Sequence, residues 1–305
     1  MAAACVLACR HLGFHVSLAR AILPALGLML LLAAMIVGTV RNRPRLRLGA
    51  VAFLQMTVFT IIAVILSYAL AARAGSLWDG TLAAADRRLG FDWPAVFRAA
   101  ERSPVAVWVG GIAYYSLTVQ MIVCIVLLSA TGRADALRTA VAAAIASGFV
   151  TIAISGEMPA MGNLFDPQAY RHLWPSVAWN ERGMIAGLRV GTWRTLDLTQ
   201  LMGIVSFPSY HATLPIILAW AQRDIPRWRA VAPIWAGVTI LATPLFGGHY
   251  GVDVLAGIAL AVIALALAPI LVRRLPYRVG VVGRSGPVWN GMPVLSSERA
   301  DERAE

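Results

Sequence analysis

The sequence contains no lysine, and all 26 of its basic residues are arginine. Charge of either sign is scarce, since charged residues make up 13% of the chain and hydrophobic residues 59%. This balance excludes an ordinary soluble domain, in which about a quarter of the residues are charged. The net charge of +11 does not indicate a nucleic acid partner, because the arginines flank apolar segments instead of forming one basic domain.

Cysteine is equally rare. The three cysteines, Cys5, Cys9 and Cys124, form an odd set without the spacing of a zinc site or a redox motif. We therefore expect neither a disulfide framework nor a cysteine metal centre. Nothing else in the composition indicates a metal or another cofactor.

Long apolar segments define the fold class. Segments of about 18 or more apolar residues can cross the hydrocarbon layer of a bilayer, about 30 Å thick, as helices. Hydropathy predicts an all-α fold, a polytopic membrane bundle of about six or seven transmembrane helices in a cell or inner membrane. The expected spans lie near residues 21–40, 48–72, 105–130, 139–155, 207–221, 230–246 and 252–272.

The arginines also predict the orientation of this bundle. By the positive-inside rule, the arginine-rich flanks of the spans are cytoplasmic. The longer segments 73–104 and 156–206 then lie on the non-cytoplasmic face of a membrane domain over residues 21–280. Residues 1–20 form an N-terminal segment and a candidate interfacial helix, and residues 281–305 are predicted to be a disordered cytoplasmic tail. The arginines that carry this assignment are Arg41, Arg43, Arg45, Arg47, Arg133, Arg138, Arg223, Arg227, Arg229, Arg273, Arg274 and Arg278.

Segment 73–104 mixes aromatic residues with charges. Trp78, Phe91, Trp93 and Phe97 alternate with acidic and basic side chains, a composition typical of a helix that lies along the membrane interface. We interpret the segment as an interfacial anchor, with a lid over a lipid site as the alternative.

Two polar segments stand at the starts of apolar spans. Residues 207–211 read Phe-Pro-Ser-Tyr-His, and residues 247–253 read Gly-Gly-His-Tyr-Gly-Val-Asp. Proline is favoured in the first turn of a helix, and the free N–H groups of that turn attract anions. The two glycines allow the backbone to approach closely before the second span. Both helix starts therefore predict phosphate binding, on the non-cytoplasmic face.

The spacing of three side chains in these segments indicates chemistry. His249 and Asp253 are four residues apart and so share one face of a helix. A carboxylate there can hold one imidazole nitrogen and leave the other free to attack phosphorus. His211 is then the candidate acid that protonates the departing oxygen.

These motifs resemble those of the type 2 phosphatidic acid phosphatase superfamily, and within it the branch of inositol phosphorylceramide synthases and, more distantly, sphingomyelin synthases. Residues 208–211 are similar to Pro-Ser-x-His, and residues 249–254 to His-Tyr-x-x-Asp-Val. The resemblance implies that His249 is a nucleophile forming a phosphohistidine, Asp253 its orienting partner and His211 the general acid, without a metal. It implies a lipid phosphate or phospholipid substrate, with water or a lipid alcohol as acceptor.

The chain departs from this family at the cation. The superfamily's phosphatases carry a Ser-Arg pair where this chain has Ala242 and Thr243, and an upstream lysine motif that a chain without lysine lacks. The synthase branch is similar in lacking that arginine. Arg189 is the first candidate to replace it and Arg194 the second. Further candidates for substrate binding are Ser209, Tyr210 and Tyr250.

Two other classes of function remain open. A zinc hydrolase would use His211, His249 and Asp253 as ligands, although a fourth strong ligand is missing. A lipid transporter without chemistry would use the same polar residues to line a pathway. Within the preferred hypothesis, the sequence does not decide between a phosphatase and a phosphotransferase.

Overall fold

The computed structural model describes residues 10–274, except Ala74, Leu198, Gln200 and Leu201. Over these residues the chain is a helical bundle with almost no strand, which confirms the predicted all-α membrane fold. Residues 1–9 of the N-terminal segment and the predicted tail at 281–305 lie outside the described residues.

Eleven helices follow one another along the described chain. They are α1 Leu18–Val40, α2 Pro44–Ala71, α3 Asp79–Arg88, α4 Trp93–Glu101, α5 Pro104–Tyr115, α6 Leu117–Ala130, α7 Ala134–Glu157, α8 Val177–Val190, α9 Tyr210–Gln222, α10 Trp228–Gly247 and α11 Gly251–Arg274. A 3₁₀ turn at Pro167–Ala169 and two short strands, β1 His15–Val16 and β2 Thr195–Leu196, complete the elements.

Not every expected span is a single long helix. Within the described chain, five helices are long and apolar enough to cross a membrane: α1, α2, α7, α10 and α11. Helices α5 and α6 make a sixth span if taken together, with a bend of 56° between them. The span expected at 207–221 is the 13-residue helix α9. At 1.5 Å per residue, α9 is about 20 Å long and therefore shorter than the hydrocarbon layer.

Helices α2, α7, α9 and α11 meet in the centre of the bundle. Two glycines permit their close approach, because a Cβ atom on Gly148 would lie 2.2 Å from the Phe59 ring. A Cβ atom on Gly257 of α11 would lie 2.3 Å from the carbonyl oxygen of Ser209. The second contact sets the start of α9 directly against α11.

The two ends of the bundle are built differently. At one end, the short connections meet where Arg133 donates to the carbonyl oxygen of Asp224 at 2.6 Å. At the other end lie the long segments and both polar motifs. Strand β1 pairs in parallel with β2, and Arg20 forms an ion pair with Asp197. Part of the candidate interfacial helix at 1–20 is thus a strand held against segment 156–206.

Candidate active site

The first element of the site is the pair of His249 and Asp253. His249 lies two residues before the start of α11 and Asp253 lies in its first turn. Nδ1 of the imidazole is 3.3 Å from Oδ2 of the carboxylate. The same Oδ2 accepts from the backbone N–H of Tyr250 at 2.9 Å and from the Ser206 hydroxyl at 3.1 Å. The carboxylate is therefore fixed in place, and Nε2 is the imidazole nitrogen left for a substrate.

His211 lies in the first turn of α9 and lines the same cleft as His249. The ring of Tyr114 from α5 stacks on the imidazole, with centroids 4.4 Å apart and planes 15° apart. This stacking fixes the plane of the imidazole. The structure thus brings together His211, His249 and Asp253, which are 42 residues apart at most in sequence, at one end of the bundle.

The two glycines before His249 are required by the packing around them. Gly248 has a positive φ of 75°, and a Cβ atom there would lie 2.6 Å from Cβ of Ala178. A Cβ atom on Gly247 would lie 2.9 Å from the Tyr114 hydroxyl. The close backbone approach predicted from the sequence is present, and it holds the imidazole of His249 against the neighbouring loops.

The start of α9 differs from its expected form. The helix begins at Tyr210 with Ser209 as N-cap, so Pro208 precedes the helix and does not occupy its first turn. The backbone N–H of Ser209 donates to the carbonyl oxygen of Asp253 at 3.0 Å. The Ser209 hydroxyl is buried and has no hydrogen-bond partner, and it makes no capping bond. Ser209 is fully buried and is not among the described residues that line the cleft.

The start of α11 is not an open anion site, contrary to expectation. Asp86 of α3 is 1% exposed and accepts from the backbone N–H groups of Gly251 at 2.7 Å and Val252 at 2.8 Å. It also accepts from the indole N–H of Trp93 at 2.6 Å. The positive end of the helix dipole is therefore already compensated by a carboxylate of the protein itself.

A second acid of α3 holds the neighbouring loop. Asp79 accepts from the backbone N–H groups of Met161 at 3.0 Å and Gly162 at 2.9 Å, and from the hydroxyl of Tyr250 at 3.0 Å. Sequence reasoning missed both acids and treated segment 73–104 as an anchor or a lid. In the structure, α3 fastens the two loops that surround His249.

Neither tyrosine of the motifs is among the described residues that line the cleft. The hydroxyl of Tyr210 donates to the carbonyl oxygen of Ala144 at 3.0 Å, which ties α9 to α7. Tyr250 is buried and bound to Asp79. Both side chains therefore hold the elements around the cleft together and do not line the cleft itself.

The two candidate arginines also lie outside the cleft. Arg189 lines an adjoining cleft and donates to the carbonyl oxygens of Arg73 and Gly75. Arg194 donates to the carbonyl oxygen of Leu188 at 2.7 Å. The position that is arginine in the superfamily's phosphatases is the buried Thr243, whose hydroxyl donates to the carbonyl oxygen of Thr239 at 2.8 Å.

Glu181 also lines the cleft. Apart from the two histidines, it is the one acidic or basic residue among the described lining residues. It is buried on the face of α8 that packs inward. Sequence reasoning missed this acid, although one signal was available. Glu181 is the single charged residue on a helical face that is otherwise apolar and contains Ala178, Ile185 and Leu188.

Among the described residues, no three or more His, Cys, Asp or Glu side chains are arranged to hold a metal ion. His211, His249 and Asp253, the ligands of the zinc alternative, lie at the same end of the bundle but not in the arrangement of a metal site.

A comparison with family models identifies the chain by its overall pattern. The model described as the PAP2 superfamily matches residues 80–267, which is more than half of the chain and includes both motifs. No curated protein and no solved structure gave a significant match.

Proposed function

The chain belongs to the PAP2 superfamily, the type 2 phosphatidic acid phosphatases, and from this premise we propose that it transfers phosphate groups of membrane lipids through a phosphohistidine on His249. The single observation that carries this proposal is the geometry of one cleft. In this cleft, Nδ1 of His249 is bound to Asp253, and the imidazole of His211 is stacked on the ring of Tyr114. Nucleophile, orienting carboxylate and proton donor are the three groups that the reaction needs.

The proposed reaction has two halves. Nε2 of His249 attacks phosphorus, the bond from phosphorus to the leaving oxygen breaks, and His211 gives its proton to that oxygen. An acceptor hydroxyl then returns a proton to His211 and attacks the phosphohistidine, which releases His249. Asp253 holds the Nδ1 proton throughout and stabilises the imidazole as it gains positive charge.

The acceptor separates a phosphatase from a phosphotransferase. Water would give phosphate, and a lipid alcohol would give a new phospholipid. We favour transfer, in the manner of the inositol phosphorylceramide synthase branch, because the motifs are similar to that branch and because Thr243 replaces the phosphatases' arginine. Ser209 stays a predicted substrate-binding residue because its hydroxyl has no partner, although it is not among the described residues that line the cleft.

We propose that the reaction takes place on the non-cytoplasmic face. The connections that contain Arg41, Arg133 and Arg223 join helices at the end opposite to the cleft. Arginine-rich connections are retained in the cytoplasm. The cleft would then open at the other surface of the membrane.

The test is product identification with purified protein in lipid nanodiscs. Phosphatidic acid, phosphatidylinositol and phosphatidylcholine would each be supplied with and without ceramide or diacylglycerol. We expect a diacylglycerol product, transfer to an added lipid alcohol, and a protein-bound phosphate that is acid-labile and base-stable. His249→Ala should abolish both turnover and the bound phosphate.

His172→Ala is the matched control, because His172 is a partly exposed histidine of segment 156–206 outside the described lining of the cleft. It should retain activity. Activity that a strong chelator abolishes would favour the zinc hydrolase, and binding of lipid without any turnover would favour the transporter. Full activity of His249→Ala would refute the proposed nucleophile.

A further inference from the structure

Glu181 is a buried acid of the cleft that the proposed reaction does not use. It lines the cleft together with His211 and His249, and it is 6% exposed. Its Oε1 atom has no hydrogen-bond partner. An unpaired polar atom in a buried position destabilises the fold. An atom of this kind in a binding cleft indicates a partner that arrives with the ligand.

No arginine is among the described residues that line the cleft with this carboxyl group. The arginines of its own helix are engaged elsewhere, because Arg182 stacks on Trp179 at 3.9 Å and Arg189 binds carbonyl oxygens. Burial raises the pKa of Glu181 to about 8. The titratable groups that face it from the surrounding elements are Tyr68 of α2, Tyr114 of α5, His211 of α9 and His249 before α11.

The charge of the substrate decides what this acid can do. A phosphate group that enters the cleft is negative, and an ionised carboxylate within the same apolar walls would repel it strongly. A protonated carboxyl group has the opposite effect, since its O–H donates to a phosphate oxygen in a short, charge-assisted hydrogen bond. The cleft lining offers no arginine for this purpose in the described structure.

We propose that Glu181 is a substrate-binding residue whose protonated carboxyl group donates a hydrogen bond to a phosphate oxygen, in the role that a cation has in related phosphatases. The inference rests on the proposed function, because it takes lipid phosphate as the ligand. It adds a residue that the family's motifs do not include. The hydrogen bond that it supplies requires the neutral acid.

Three substitutions at this position separate the possible roles. Glu181→Gln keeps a hydrogen-bond donor of similar size, whereas Glu181→Ala and Glu181→Met remove the donor. We expect Gln to retain kcat/KM within about threefold. Loss of one donor to a charged group should lower kcat/KM by about 10- to 100-fold in the Ala and Met variants.

The pH profile gives a readout that a structural role would not change. Wild-type kcat/KM should fall as the pH rises through about 8, because Glu181 then ionises and repels phosphate. The Gln variant should lack this fall. Glu157→Gln is the matched control, since Glu157 is an exposed acid paired with Arg73, and it should keep the wild-type profile.

Other outcomes would overturn the inference. If Gln is as inactive as Ala, the carboxylate is needed as a base and not as a donor. If all three variants match the wild type and keep its alkaline fall, Glu181 does not contact phosphate. In both cases lipid turnover and the phosphohistidine persist in the wild type, so the proposed function would survive.

Infrared difference spectroscopy tests the inference without turnover. The purified protein should show the carbonyl band of a protonated carboxylic acid that is missing in Glu181→Gln, and inorganic phosphate should shift this band to lower frequency. A band that phosphate leaves unshifted, or no such band at neutral pH, would contradict the inference. A wild type without turnover or bound phosphate would instead refute the proposed function.

Discussion

Removal of the Asp86 carboxylate should destabilise the protein more than loss of an ordinary helix cap. Asp86 is 1% exposed and accepts three hydrogen bonds, from Gly251, Val252 and the indole of Trp93. In Asp86→Ala, three donors lose their partner in a buried place. Two of these donors form the start of α11, directly after His249.

The magnitude follows from these contacts. A hydrogen bond to a charged group contributes about 1.5–3 kcal/mol, and such bonds are not additive within one cluster. We therefore expect Asp86→Ala to lower the free energy of unfolding by about 3–5 kcal/mol. Asp86→Asn can keep the two bonds to one oxygen and lose the third, so it should cost about 1.5–3 kcal/mol.

Asp92→Ala is the matched control for this prediction. Asp92 is an exposed acid of the same segment and caps α4 through one bond from the backbone N–H of Ala95 at 3.1 Å. Its loss should cost about 1 kcal/mol. Unfolding would be followed by tryptophan fluorescence during titration of dodecyl sulfate into mixed micelles. An Asp86→Ala variant no less stable than Asp92→Ala would refute the reasoning.

Three further predictions concern the site and its orientation. Asp253→Asn allows the wrong imidazole tautomer and should lower kcat on the order of 10⁴-fold; a loss below about tenfold in the same assay would leave Asp253 as packing alone. Arg189→Ala should raise KM with little change in kcat, because the guanidinium lies in the adjoining cleft; a hundredfold fall in kcat would instead place it on the reacting phosphate. Cysteine placed at Ala169 should react with a membrane-impermeant thiol reagent in intact cells, and cysteine at Asp135 only after lysis; the reverse pattern would move the active site to the cytoplasmic face.

Local spacing predicted the parts of the site that lie close together in sequence. An i, i+4 pair on a helix shares one face; His249 precedes α11, but its imidazole still contacts Asp253 as the spacing predicted. Hydropathy predicted the bundle in the same way, since a long apolar helix is visible one segment at a time. The start of the short helix α9 was placed three residues early, at Phe207 and not at Tyr210, whereas its expected end differs from the observed one by a single residue.

Contacts between distant segments left no such local signal. Asp86 lies 165 residues before Gly251, and neither position carries a pattern that names the other. The expectation of a free helix end at α11 assumed that no internal group would occupy it. In a bundle with few charges, a helix end of this kind attracts the protein's own carboxylates as readily as a ligand's phosphate.

The acids around the cleft differ in whether the fold supplies them with hydrogen-bond donors. Asp86 and Asp79 each receive several donors, and Asp253 receives its own from His249, Tyr250 and Ser206. Each of these acids therefore has a structural reason for its position. Oδ1 of Asp253 is also unpaired, but its Oδ2 is held by the three groups just named. Oε1 of Glu181 has no donor, although burial is as costly for this acid as for the others. Because the fold does not satisfy this group, the inference assigns it a partner on the ligand, and the pH profile of Glu181→Gln is the measurement that tests this assignment.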